Sequence, residues 1–118
     1  MLGSGVHLTL ACGVLAIGCG SDAPACPNDL PSGCPAPAPS YRTEVAPLFQ
    51  GRCFPCHGPG GVAQPKHDFT SYAVIHDQRS KILNQVYNCR MPPAQVPAPT
   101  MSERTTLLDW LVCGAPDN

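Results

Sequence analysis

The stretch RCFPCHGPGG, residues 52–61, places two cysteines, a histidine and three glycines within ten positions. Cys53, Cys56 and His57 form the pattern C-x-x-C-H, in which two thiols project from one side of a helical turn and an imidazole follows directly. Thiols at this spacing can reach two vinyl groups on adjacent edges of one porphyrin, while the imidazole binds its iron from below. The stretch therefore predicts covalent attachment of a c-type haem.

Two other kinds of site share the first four residues of this pattern. A thioredoxin-like dithiol needs a preceding strand in a βαβ setting, and the sequence offers neither. A structural zinc site needs two more clustered ligands, and the sequence has no second C-x-x-C and no H-x-x-x-H. His67 and His76 could be recruited, but they fall on a predicted loop and a predicted helix. Both alternatives stay open beside the haem interpretation.

The N-terminus indicates export. Residues 6–18 are an apolar run of signal-peptide length, so we expect a leader over residues 1–18. The small residues before Cys19 resemble a bacterial lipobox, in which this cysteine becomes the lipidated first residue, although no Lys or Arg precedes the run. The alternative is cleavage after the A-x-A pattern at residues 23–25, which would release a soluble periplasmic protein. We expect the lipid-anchored form, on the periplasmic side of a bacterial membrane or at the cell surface.

Composition narrows the class of protein further. The chain has 118 residues, eight of them cysteine, and a formal net charge of −1. Such cysteine density is typical of an oxidising compartment. No basic stripe is available to neutralise phosphates, so we expect no nucleic-acid partner. Residues 19–40 are rich in Pro, Ala and Ser and predict an extended tether, which leaves residues 41–118 as the folded domain.

The folded domain is predicted to be helical, because its apolar residues recur at helical spacing and strand signals are absent. Pro47 is expected in the first turn of the first helix, where a missing N–H is tolerated. The periodic positions are Val45, Leu48, Phe49, Cys53 and Cys56, then Ile75, Ile82, Leu83 and Val86, and finally Leu107, Leu108, Trp110 and Leu111.

Glycine and proline residues predict where the loops between the helices lie. Residues 58–64 cannot continue a helix, and the four prolines of residues 88–99 make that segment non-helical. Residues 71–87 predict one helix or two short ones. Thr100 and Glu103 form a capping box that opens the last helix. The fold class is therefore all-α, with three to four helices.

Met91 is the predicted sixth ligand of the haem iron. Two prolines follow it, so its thioether is presented from a stiff, extended segment. Coordination by methionine and histidine raises the reduction potential and closes the iron to external ligands. Met101 precedes a helix and is expected to pack, while His67 and His76 are the fallback ligands.

These segments resemble a small class I cytochrome c domain. The residues that carry the resemblance are VAPLFQGRCFPCHGPGG (45–61), DFTSYAVI (68–75), CRMPP (89–93) and LLDWLVCGAPDN (107–118). They are similar to the single-haem domains of exported myxobacterial and planctomycete proteins, over roughly residues 43–118. The resemblance implies a small cytochrome c fold around one haem, in which the first and last helices cross beside the cofactor.

The resemblance also implies two contacts. Phe49 should pack against the closing helix near Leu107, Trp110 or Leu111. The second ring nitrogen of His57 should be held by a proline carbonyl, for which Pro59 and Pro65 are the candidates.

Four cysteines remain for disulfides, and four cysteines allow three connectivities. Proximity in the sequence favours Cys26 with Cys34 and Cys89 with Cys113. The second bridge would tie the Met91 loop to the last helix and stabilise the fold by roughly 3 kcal/mol.

The function these features predict is electron transfer by a monomeric haem protein that meets redox partner proteins and is not itself an enzyme. The alternative is a peroxidase-like enzyme or ligand sensor, in which the distal position of the iron is open or Met91 is displaced.

Overall fold

The computed structural model describes residues 25–118, so the predicted leader and the predicted lipidation site Cys19 lie outside the described residues. Four helices follow one another, and residues 25–118 contain no strand, which confirms the all-α prediction. Helix α1 is continuous over residues 41–57. The others are α2 (Tyr72–Asp77), α3 (Arg79–Tyr87) and α4 (Met101–Val112). Within this part of the chain, no helix is long and apolar enough to cross a bilayer.

Helix α1 widens into a π-helical turn twice, each time just before a proline. The Ala46 N–H donates to the carbonyl of Tyr41, and the Phe54 N–H donates to the carbonyl of Phe49. Pro47 and Pro55 follow these two donors. A proline has no N–H, and its ring clashes with the carbonyl four residues back in an α-helix, so a wider turn relieves both problems. Pro47 thus lies beyond the first turn, and its predicted position was wrong.

The start of α1 is joined to the C-terminus of the chain. Ser40 caps the helix, since its hydroxyl accepts a hydrogen bond from the Thr43 N–H. The Tyr41 N–H donates to Asn118 Oδ1 over 2.8 Å, and the Arg42 N–H donates to the Asn118 carbonyl over 3.1 Å. These bonds hold both ends of the helical domain together.

The region predicted as one helix or two short ones forms two. Ser71 caps α2, because its side chain accepts from the Val74 N–H, and the chain turns at Gln78 before α3 begins. Residues 88–99 contain no helix, as their prolines predicted.

Helix α4 begins at the predicted capping box. Thr100 Oγ1 accepts from the Glu103 N–H, and the Glu103 carboxylate accepts from the Thr100 N–H. The ring of Trp110 lies 6.2 Å from that of Phe49, so the expected packing of α1 against the closing helix is confirmed. The buried apolar core consists of Val45, Phe49, Phe69, Ile75, Ile82, Val86, Leu107, Leu108, Trp110, Leu111 and Ala115.

All four cysteines predicted to form disulfides do so, but the predicted pairing was wrong. Cys26 is bonded to Cys89, with 5.8 Å between their Cα atoms, and Cys34 to Cys113, with 4.6 Å. The prediction relied on proximity in the sequence. Each cysteine of residues 25–40 is instead bonded to a cysteine at the end of a different helix. The segment expected to be a tether is covalently joined to the helical domain at two points.

Candidate functional site

A cleft of about 260 Å³ lies between the end of α1, helix α3 and the loop of residues 88–99. This volume is close to the lower end of the roughly 300–1,000 Å³ typical of small-molecule pockets. Cys53, Cys56, His57 and Met91 all line it, so the structure brings the four predicted haem-binding residues to one place. The apolar side chains around them are Leu48, Phe69, Ile82, Val86, Val96 and Leu107.

The two thiols of the motif are unpaired, although four other cysteines of the described chain form disulfides. Burial raises the pKa of the Cys53 thiol to about 12, because the thiolate would lose its hydration. Reactive dithiols show the opposite, a pKa lowered by a helix N-terminus or a nearby cation. The geometry therefore gives no support to the thioredoxin-like alternative.

His57 is held by two contacts that leave one ring nitrogen for a ligand. Its Nδ1 lies 3.2 Å from the carbonyl oxygen of His67, which can only accept a hydrogen bond, so Nδ1 carries the proton. Its ring stacks on Phe69, with 4.3 Å between centroids and 13° between planes. Nε2 then has the free lone pair that a metal needs. Burial of the ring lowers the pKa of His57, which favours the neutral, ligating form.

The carbonyl that holds His57 corrects a prediction. The resemblance pointed to Pro59 or Pro65, but the acceptor is the carbonyl of His67. Loop 58–67 turns back on itself after α1, and this brings position 67 beside the imidazole. The His67 N–H donates to the Ala63 carbonyl, which fixes this return.

Loop 58–67 needs its glycines where it folds against the end of α1. The Ala63 N–H donates to the carbonyl of Cys56 over 2.8 Å. A Cβ atom at Gly61 would overlap the backbone of Cys56, and one at Gly58 would overlap Phe54. Gly60 has a φ of +76°, which residues with a side chain rarely adopt.

Met91 reaches the cleft from the proline-rich loop, with 42% of its surface exposed. The fallback ligands are placed differently. His67 also lines the cleft, but it comes from the loop that holds His57, and its Nδ1 lies 2.6 Å from Gln78 Oε1. His76 packs its ring against that of Tyr72, at 5.7 Å.

Two charged contacts were not predicted. Arg52 and Glu103 form a two-bonded ion pair that joins α1 to α4 and contributes to the lining of the cleft. Arg104 is buried, with 7% of its surface exposed, and pairs with Asp29. The sequence does carry a signal for the burial of Arg104. It lies three and four residues before Leu107 and Leu108, which places it on the apolar face of α4.

The donor set fits a covalently bound haem better than a zinc ion. A structural zinc site is nearly always four-coordinate, and among residues 25–118 no group of three or more His, Cys, Asp or Glu side chains is placed to hold a metal ion. A haem needs two free thiols and an oriented imidazole beside an apolar cleft, and these are present. No protein-family model, no curated protein and no solved structure matches this chain.

Proposed function

We propose that the protein transfers single electrons by means of one covalently bound c-type haem. The observation that carries the proposal is the convergence of Cys53, Cys56, His57 and Met91 on one apolar cleft. The two cysteines would hold the haem through thioether bonds, and His57 and Met91 would bind its iron. When bound, the haem supplies a one-electron couple between ferric and ferrous iron.

The residues around the cleft suit such a carrier. The His67 carbonyl and the Phe69 ring orient the imidazole of His57 and would keep it in place as a ligand. The apolar side chains of the cleft would lower the local dielectric constant around a bound haem, and together with a thioether ligand they would raise its reduction potential.

One observation favours a second function. Met91 is 42% exposed on a non-helical loop, so an external ligand could displace its sulfur. His67, Gln78 and Arg52 also line the cleft and could contact such a ligand. A peroxidase-like enzyme or ligand sensor is therefore the alternative to the carrier.

An optical spectrum distinguishes these functions. The protein would be produced in a host with c-type haem-attachment machinery. Spectra would be recorded of the oxidised protein, of the reduced protein and of the reduced protein after addition of carbon monoxide. A carrier should give a c-type reduced spectrum, a sulfur-to-iron band in the far red and no response to carbon monoxide. Haem that binds carbon monoxide would indicate the sensor or enzyme. A colourless protein, or haem lost on denaturation, would refute both.

Two methionine variants provide the matched control. Met91→Leu should abolish the far-red band, permit carbon monoxide binding and lower the reduction potential, because the thioether is lost. Met101 was expected to pack but is 59% exposed at the start of α4, so Met101→Leu should leave all three unchanged. Equal spectra for the two variants would exclude Met91 as the ligand.

A further inference from the structure

The backbone of Met91 is fixed at the C-terminal end of α3. The carbonyl of Gln85 accepts hydrogen bonds from the Arg90 N–H over 2.8 Å and from the Met91 N–H over 3.2 Å. Cys89 makes this turn possible by adopting a left-handed conformation, with a φ of +54°. The position of Met91 therefore depends on how firmly the end of α3 is held.

The rest of the proline-rich loop contributes little to holding Met91. From Pro92 to Pro99, the described backbone has a single internal hydrogen bond, from the Val96 N–H to the Pro93 carbonyl. Four of these eight positions are prolines, which cannot donate. The anchor of Met91 thus lies on its N-terminal side.

Arg104 of α4 binds the end of α3 directly. Its guanidinium donates to the Val86 carbonyl over 2.7 Å and to the Tyr87 carbonyl over 3.0 Å. These carbonyls belong to the last turn of α3, where backbone acceptors lack partners within the helix. A cation is also favourable at the negative end of the helix dipole.

Asp29 neutralises this buried cation. Both of its carboxylate oxygens accept from Arg104, over 2.7 and 2.8 Å, which is the strong two-bonded geometry of an arginine with a carboxylate. Three residues earlier, Cys26 is covalently bonded to Cys89, two residues before Met91. We call this group of four residues (Cys26, Asp29, Cys89 and Arg104) the clasp.

We infer that the clasp is a positioning device for the distal ligand, which keeps the sulfur of Met91 on the iron and external ligands off it. This inference rests on the proposed function. The clasp residues do not touch the cleft and act through the end of α3. Loss of Asp29 would leave a buried, uncompensated arginine, and loss of the disulfide would release the turn that carries Met91.

The test compares variants of the clasp with matched variants elsewhere. Asp29→Asn removes the buried ion pair, and Cys26→Ser with Cys89→Ser removes the adjacent disulfide. The controls are Asp117→Asn, which alters the exposed pair with Arg42, and Cys34→Ser with Cys113→Ser, which removes the other disulfide. Each holoprotein would be examined for its far-red band and for the fraction that binds carbon monoxide.

We expect both clasp variants to lower the ratio of methionine-ligated to carbon monoxide-accessible haem by about 10- to 100-fold, the usual effect of removing support behind a metal ligand. Both controls should keep the wild-type ratio. If one double-cysteine variant does not fold, the comparison of Asp29→Asn with Asp117→Asn tests the inference on its own. Clasp variants that keep the wild-type ratio, or controls that lose it equally, would overturn the inference. Failure of the proposed function differs visibly, because the wild type itself would then lack covalent haem or the far-red band.

Discussion

Gly61 shows how a single residue shapes the site. It lies against the backbone of Cys56, where a Cβ atom would overlap the peptide. Gly61→Ala should therefore force the loop away from the end of α1, disturb the His67 carbonyl that holds His57 and lower both haem incorporation and the thermal midpoint. Haem content per chain and thermal unfolding would measure this.

Gly51→Ala is the matched control, because position 51 is exposed in α1 with nothing within 4 Å of an added Cβ. Alanine in an exposed helix should leave haem content unchanged and stabilise by roughly 0.5–1 kcal/mol. Equal haem content in both glycine variants would contradict the role given to Gly61.

At the scale of single residues, the chemistry of the site could be predicted from the sequence, but the contacts that support His57 could not. The spacing of Cys53, Cys56 and His57 is local, and the sequence contains it in full. The acceptor for His57 Nδ1 is a backbone carbonyl ten residues away. Any residue type could supply a carbonyl, so the path of the loop decides which one it is, and no side-chain pattern points to His67.

At the scale of the helix, the capping box of α4 gives a separate prediction. Thr100→Ala removes the side-chain acceptor for the Glu103 N–H, so one N–H of the first turn loses its partner. The free energy of unfolding should fall by about 1 kcal/mol. Denaturant unfolding of the oxidised holoprotein would measure it.

Thr105→Ala serves as the control for this cap. Thr105 is exposed within the same helix, and its hydroxyl bonds only to the Met101 carbonyl one turn back. Alanine has the higher helix propensity, so stability should stay level or rise slightly. If Thr105→Ala lost as much stability as Thr100→Ala, the capping hydrogen bond would have no specific effect on stability.

Helix positions could be predicted because caps, prolines and apolar spacing are local signals, whereas the inner geometry of α1 could not. A proline in a helical pattern favours a position in the first turn, where Pro47 was expected. Buried neighbours on both sides of Pro47, Val45 and Phe49, pack into the core and keep the chain helical through it. The helix adapts by widening at two π-helical turns. Tertiary packing thus overrides the local preference of proline for the first turn.

At the scale of the whole molecule, residues 25–40 are part of the folded unit even though Leu30 is their one large apolar side chain. Two disulfides and the Asp29–Arg104 ion pair attach them to the helices. A segment of this composition is expected to be a tether, because it cannot bury a core of its own. Its attachment relies on covalent and ionic contacts with residues far away in the sequence, which is why proximity along the chain suggested the wrong partners.

The connectivity of the disulfides has a direct consequence for stability. The two bridges join residues separated by 63 and 79 positions, so each closes a long loop in the unfolded chain. On the chain-entropy account, each should contribute about 4 kcal/mol. Replacing Cys34 and Cys113 by serine should therefore reduce the free energy of unfolding by about that amount. A local bridge between Cys26 and Cys34 would close only a short loop and contribute less.

Peptide mapping without reduction, combined with denaturant unfolding, checks this prediction. The wild type should yield one linked peptide pair containing Cys26 and Cys89 and another containing Cys34 and Cys113. Serine at positions 34 and 113 should remove the second pair and leave the first intact, because each bridge joins a different helix end to the N-terminal segment. A linked pair of Cys26 with Cys34 would contradict the long-range connectivity. It would also leave Cys89 without the partner that restrains the turn before Met91, so the same digest that tests the disulfides also tests the covalent half of the clasp.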